Sequence, residues 1–479
     1  MKEVPLSQFS SLSEENFLGF LRGCHEEALR DGEEKIVSIS LPVGHLDPLA
    51  VLESIYEEDE PHFYCEQPQR EFRLAAAESV AEFRTGGADR FREVQDWAEK
   101  LFARSIYAGE ADLPMSGPRL LGGFTFLDEP GEESLFPGAY FFLPRWQVAG
   151  VEGAFTATAN LVIGPDENWP KEAQRVWAAH AKFSHFSYAS PVAAQLPGTP
   201  GEMKEAGGAR AYQEAVAAAV AEIRAGDYEK VVLARALDVS FGEKIHPLAA
   251  LNHLRERYPA CFNFSFSAGK GVSFLGATPE RLLRTTPQRL HTEAIAGSIQ
   301  RGRSAVEDAT LAGQLMNSAK DRHEHQIVVQ TILKRLRSLG LEPQEGRGPR
   351  LLTLSNVHHL RTPVEAARTE GVAPLDVLQS LHPTPAVGGK PLAAARAAIP
   401  RLEAFARGLY AGTIGHFNAK GESDFLVAIR AGQISGERLR LYAGAGIVAD
   451  SDPRREWQET ELKFKALREA FGCETPDDG

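Results

Sequence analysis

Cysteine, membrane-length apolar runs and surplus positive charge are all scarce in this chain. Four cysteines (Cys24, Cys65, Cys261 and Cys473) stand far apart among 479 residues with no CxxC pair. Neither a disulfide framework nor a zinc knuckle is indicated, and the thiols read as reduced and structural. No apolar run reaches the roughly 18 residues of a spanning helix, and the opening MKEVPLSQFSSLSEENF lacks the basic-then-apolar order of a secretory signal. A cytoplasmic location is expected. Against 65 Asp and Glu there are 52 Lys and Arg, a formal net charge of −13. Nucleic-acid and anionic-membrane surfaces need clustered cations, so neither partner is expected; a small anionic substrate would need local cations or a metal. No GxxxxGK[ST] occurs, and no GxGxxG links a strand to a helix, which argues against a nucleotide fold.

At 43% hydrophobic the chain can bury a large core. Residues 1–200 give mixed signals: a helical reading over 75–105, then short aromatic and β-branched runs (LGGFTFL, GAYFFLPRWQV, AFTATANLVIG) that suit an antiparallel meander. Residues 195–210 concentrate Gly and Pro and read as a linker or a long surface loop. A periodic helix stopped by Gly226 follows, then strand KVVLARALDVSF, helix PLAALNHLRERY, strands FNFSFSA and VSFLGAT, and a long helix over 306–339. The strand pair DFLVAIRAG and RLRLYAGAGIV and a last helix over 454–471 complete the chain. Strands and helices come in blocks without βαβ alternation, so the expected class is α+β with antiparallel sheets.

Several residues sit where plain core or surface residues would not. Lys230 opens the apolar strand KVVLAR, where an ammonium gains nothing unless it lies outside the core or has work to do. On the last helix Glu456, Glu459 and Lys463 fall at i, i+3 and i+7, beside an apolar stripe of Trp457, Phe464, Leu467 and Phe471. They form either a solvated edge with a Glu459–Lys463 ion pair or a pair of hard carboxylate ligands of the kind Mg²⁺ takes. Asp321 and Glu324 share a helix side with Val328 and Ile332, where a carboxylate needs an ion-pair partner or a metal. His323 and His325 point to opposite sides of that helix and exclude a zinc-protease pair. Arg430, at the end of LVAIR on the face of Leu426 and Ala428, has the fork to grip a carboxylate or could reach out to the rim. Gly297, Gly444 and Gly446 would permit close backbone approach or simply make turns. Glu280 in GATPERLL and His382 in LHPTPAVGGKP read as loop residues or as groups at a cleft.

Over 212–471 the chain resembles the chorismate-utilising enzymes, the family of isochorismate, salicylate, anthranilate and aminodeoxychorismate synthases. The resemblance runs in the family's order through KVVLAR, GATPERL, EAIAGS, KDRHEH, LHPTPAVGG, YAGTIG, VAIR, LYAGAGIV and SDPRREWQETELK. GGFTFL and FLPRW in the first half are similar to the variable half of menaquinone-type isochorismate synthases. The resemblance implies one large α+β unit, with antiparallel sheets enclosing the active site and helices outside. Residues 1–200 would add sheet to it and 210–473 would bind chorismate. It also implies Mg²⁺ on Glu324, Glu456 and Glu459, with Asp321 near an outer-shell position. Substrate contacts would fall to Ala296, Gly297, His382, Thr384, Tyr410, Arg430, Gly444, Gly446 and Lys463.

Within the family, anthranilate synthases have Gln where Lys230 stands, and aminodeoxychorismate synthases have a nucleophilic Lys where Ala296 stands. Lys230 with Ala296 resembles the water-activating pattern of isochorismate and salicylate synthases. The implied reaction is reversible: water, activated by Lys230 as general base, attacks C2 of chorismate while a protonated Glu280 gives its proton to the departing C4 hydroxyl. Salicylate synthase, which would also expel pyruvate, is the alternative; anthranilate synthase and a non-catalytic chorismate-binding protein come after it. A glutamine amidotransferase subunit is not expected, and a monomer or weak dimer is. Thr278 stands where the family commonly has Ser before Pro-Glu, and LES at 52–54 reads as helix.

Overall fold

The computed structural model describes residues 1–5, 14–109, 113–165, 169–184, 200–355 and 357–473. The strands that frame the interior are β1 (Pro61–Gln67), β2 (Phe72–Thr85), β3 (Arg119–Phe124), β4 (Ala139–Val151), β5 (Lys230–Ser240), β6 (Phe262–Ala268) and β7 (Val272–Thr278). After them come β8 (Arg281–Thr285), β9 (Arg289–Gln300), β10 (Val357–Ala367), β11 (Thr413–Asn418), β12 (Ser423–Val427), β13 (Ala431–Ser435) and β14 (Arg438–Ile447). The helices that matter here are α1 (Arg90–Ala103), α2 (Gly208–Ala225), α3 (Ala305–Asn317), α4 (Ala319–Ser338), α5 (Leu392–Leu402) and α6 (Pro453–Ala470).

Antiparallel pairing runs without a break from β5 through β14, β13, β7 and β6 to β1. It continues through β2, β4, β3, β11, β12, β8 and β9 to β10. The strands from residues 61–151 therefore lie in the middle of this path, joined to the later chain by β1–β6 on one side and β3–β11 on the other. The expected antiparallel α+β class holds. Residues 195–199 of the Gly/Pro stretch lie outside the described residues; from Met203 the chain pairs with β5, and α2 starts at Gly208.

Two local expectations are corrected. Residues 72–85 form strand β2, so the helical reading over 75–105 holds only for α1. Leu74 and Ala76 enter one core cluster and Ala75 and Ala77 the other, so both faces of the strand are buried. Such a strand shows no polar alternation, and its ladders to β1 and β4 override the helical preference of alanine. The helix expected over 306–339 is two helices: Ser318 ends α3 in extended backbone and accepts a hydrogen bond from the Asp321 amide at the start of α4. The LES tripeptide is helical, within Pro48–Ile55.

Candidate active site

Lys230 is the first residue of β5, directly preceding the Val231–Ile447 pair with β14. Its side chain is only 6% exposed, and Nζ donates to Glu324 Oε1 of α4 at 2.5 Å. The amine passes over Gly446, where an added methyl would stand 3.0 Å from Lys230 Cε, 3.4 Å from Nζ and 3.8 Å from Glu324 Oε1. The glycine thus makes the space in which lysine and glutamate meet. Two positions earlier on β14, a side chain at Gly444 would press on the Tyr410 hydroxyl at 3.1 Å, and the Gly444 carbonyl accepts from Lys463 Nζ at 2.7 Å.

Helix α6 is seated by a cation on the reverse side of β5. Arg235, buried, donates to Glu205 at 2.5 Å and Thr460 at 2.8 Å and pairs with Glu461 at 2.6 Å. Its guanidinium stacks over the rings of Trp457 and Phe464. Phe464 and Leu467 are buried, as their stripe requires, and the acids Glu456 and Glu459 lie beside it. Glu459 accepts from Lys463 at 2.8 Å, so the i,i+4 pair is formed. Partial burial raises the pKa of Glu456, with the neighbouring Glu459 charge adding to the shift. Glu459 is also penalised by desolvation, but Lys463 offsets this and holds its carboxyl below the ordinary value. Among the described residues no three His, Cys, Asp or Glu side chains are drawn together as a metal cage. Glu456 and Glu459 form a mutually repelling carboxylate pair of the oxygen-ligand kind a hard divalent cation takes, while Glu324 is engaged by Lys230.

Glu280 follows Thr278 and Pro279 at the end of β7, its carbonyl accepting from the Val427 amide at 3.0 Å and its own amide donating to Thr278 Oγ1 at 3.2 Å. This backbone clamp fixes a side chain that is 4% exposed. Burial, helped by the Glu293 charge and opposed by Lys230, pushes the Glu280 carboxyl up to about 8. It is thus an acid that keeps its proton at neutral pH, within electrostatic reach of the buried amine.

The remaining residues divide. Gly297 sits at φ +79 in the bulge between Ala296 and Ser298, and an added methyl there would stand 3.2 Å from Asp321 Cβ, so the bulge lets α4 close on β9. The Ala296 carbonyl faces His325, which is buried and also bonds Thr362, while His323 is exposed. Tyr410 is buried and stacks on Tyr442 with centroids 4.9 Å apart; burial pushes its hydroxyl up to about 12. Arg430 corrects the picture of a straight strand end: β12 stops at Val427, and Arg430 turns at φ +53 before β13 begins. Its guanidinium borders an apolar pocket with Tyr258, Pro279 and Leu467. His382 packs near Phe91 and is influenced by Arg90 and Arg396, and burial drives its pKa down to about 3. His382 Nε2 and Thr384 Oγ1 are buried with no hydrogen-bond partner among the described residues.

One residue at the site was not singled out from the sequence. His359 on β10 is buried and bonds Ser298 Oγ through Nδ1 at 2.7 Å; its Nε2 has no partner among the described residues. Burial lowers its pKa to about 3, and the Arg430 and Lys463 charges add to this, so the neutral ring sits between cations. The alternation of a strand puts the two rings of the His358–His359 doublet on opposite faces, and only the pairing of β10 with β9 shows which one looks inward.

The chain belongs to the chorismate-binding enzymes: residues 23–472 match the family described as "Chorismate binding enzyme". It is 35% identical to the salicylate biosynthesis isochorismate synthase of Pseudomonas aeruginosa over 98% of this chain and 97% of that protein. It is 32% identical to isochorismate synthase MenF of Bacillus subtilis over 92% of this chain and 94% of that one. Among solved structures, the menaquinone-specific isochorismate synthase MenF of Escherichia coli superposes with a TM-score of 0.78 at 27% identity, covering 94% of this chain and 99% of that one.

Proposed function

We propose that this protein is an isochorismate synthase, interconverting chorismate and isochorismate. The observation that carries the reading is a buried carboxyl that keeps its proton up to about pH 8, coupled to a buried lysine on a different element. An acid and a base of this kind can act on opposite sides of one ring. Lys230 takes a proton from the water that attacks C2. Glu280 gives its proton to the C4 hydroxyl as it leaves. Both ring double bonds shift between these carbons, no atom is lost overall, and the reverse reaction exchanges the two roles. Names of relatives support the reaction, and the Lys230/Ala296 pattern opposes ammonia or amine delivery.

Lys463 and Arg430 offer cations to the two substrate carboxylates, and His359 offers a neutral ring beside them. Tyr410 and the backbone at Gly297, Gly444 and Gly446 would line the substrate's remaining side, Gly444 lying close under the Tyr410 hydroxyl. Glu324, Glu456 and Glu459 would hold Mg²⁺, which when bound would neutralise a substrate carboxylate and absorb developing charge.

Incubation of the purified protein with chorismate and Mg²⁺, with products separated by mass and fluorescence, tests the proposal. An isomer of the substrate without pyruvate is expected. Fluorescent salicylate with pyruvate would assign salicylate synthase instead, and unreacted chorismate would leave a binding protein. Disrupting the gene distinguishes service to menaquinone from service to a salicylate-derived siderophore, by which product the cell then lacks.

A further inference from the structure

Glu280 is not the only buried carboxyl in its corner. Glu293 on β9 is also buried, and its Oε1 accepts from the amide of Arg281, the residue directly after Glu280, at 3.3 Å. Its other oxygen receives Arg361 of β10 at 2.5 to 2.6 Å, with the His291 ring 3.9 Å away. The Arg281 guanidinium is itself engaged in a two-pronged pair with Asp424 of β12. Arg361 and the His291 ring therefore lie on the Glu293 side. The Glu280 carboxyl feels the Glu293 charge from β9 and the Lys230 charge from β5, and among the described residues no arginine contributes to it. Two carboxyls so placed cannot both ionise cheaply, and the one with the donors takes the charge.

We propose that Glu293 is a positioning residue for the acid: a fixed anion, held by Arg361, His291 and the Arg281 amide, whose charge keeps the proton on Glu280. The direction agrees on both sides of the pair. Burial works against the Glu293 charge, yet His291, Arg361 and Arg281 more than offset it and hold this carboxyl below its ordinary value. Burial and the Glu293 charge together raise Glu280. The role rests on Glu280 being the acid of the proposed reaction.

The test reads the Glu280 proton directly. Infrared titration of the protonated carboxyl band, assigned by its disappearance in Glu280→Gln, is compared between the parent protein and Glu293→Gln. The midpoint is expected to fall by about one pH unit, and the alkaline limb of kcat/KM to move with it. Glu293→Asp, which keeps the charge, should restore most of the shift. If Glu293→Gln does not fold because Arg361 is left unpaired, the double variant Glu293→Gln/Arg361→Gln removes both charges and should show the same fall. An unmoved midpoint in a folded variant overturns the proposal. Should Glu280→Gln remain active while the midpoint still moves, the acid role fails and the coupling stands.

Discussion

Two ion pairs, one buried and one half-open, flank strand β5 and differ in almost every respect. Beside the strand's backbone, Arg407 and Glu403 are each 2% exposed. Arg407 donates to both Glu403 oxygens and to the carbonyls of Val387 and Val232, and Glu403 also accepts the Ala234 amide. At the mouth of the strand, Lys230 makes one bond to a Glu324 that is 32% exposed. A saturated pair fixes a backbone, whereas a pair with a single bond and a solvated partner can be exchanged. The first holds the frame and the second is poised for chemistry. The same contrast separates the Arg281–Asp424 pair, two-pronged and buried, from Glu280, which has no cation bound to it among the described residues.

The sharpest break in this comparison should come from the frame. Glu403→Ala leaves the Arg407 guanidinium buried and unpaired, which costs about 3–5 kcal/mol; chemical denaturation should show a markedly lowered midpoint or no folded protein. Lys230→Ala should do the reverse. Glu324 can turn to water, so the denaturation midpoint should stay near the parent's, while turnover of chorismate drops by about 10²–10⁴-fold. Glu280→Gln should lose turnover on the same scale. A Lys230→Ala protein that unfolds, or a Glu403→Ala protein that is stable, would erase the distinction.

The pH dependence sharpens it further. The folded protein keeps the Glu280 proton up to about 8, whereas the unfolded chain releases it at the ordinary carboxyl value of 4.5. The unfolded state therefore binds fewer protons between these values, and this group's contribution to stability falls as pH rises through that window. Glu280→Gln should flatten the fall, measured as denaturation midpoints across that range. The mutation that abolishes activity thus raises relative stability at alkaline pH. The smallest effect expected is on the metal: Glu459→Ala should raise the Mg²⁺ concentration needed for half-maximal rate by about tenfold, with the fold unchanged.

What could be read from the sequence follows the same division. Glu456, Glu459 and Lys463 were legible because a helix repeats its faces in a known period, and Lys230 because an ammonium opening an apolar strand is out of place. The motif order carried the family and the antiparallel class. The alanines of β2 were not legible: a strand buried on both faces has no alternation, and alanine favours helix until its neighbours are known. Nor could His359 or Glu293 be found, since the inward turn of one and the cation-rich side of the other are set by strands β9 and β10 meeting across the sheet. The break at Ser318 was within reach, because Ser followed three residues later by Asp is a helix-start signal.

The central claim is that a lysine and a protonated glutamate exchange a hydroxyl between ring carbons, adding water at one carbon and expelling the protonated hydroxyl as water from another. Conversion of chorismate in water enriched in heavy oxygen tests it most directly. Isochorismate carrying one solvent oxygen, located on C2, is expected, with its formation slowed about 10²–10⁴-fold in Lys230→Ala and Glu280→Gln. Isochorismate that retains only the substrate's own oxygens would contradict it.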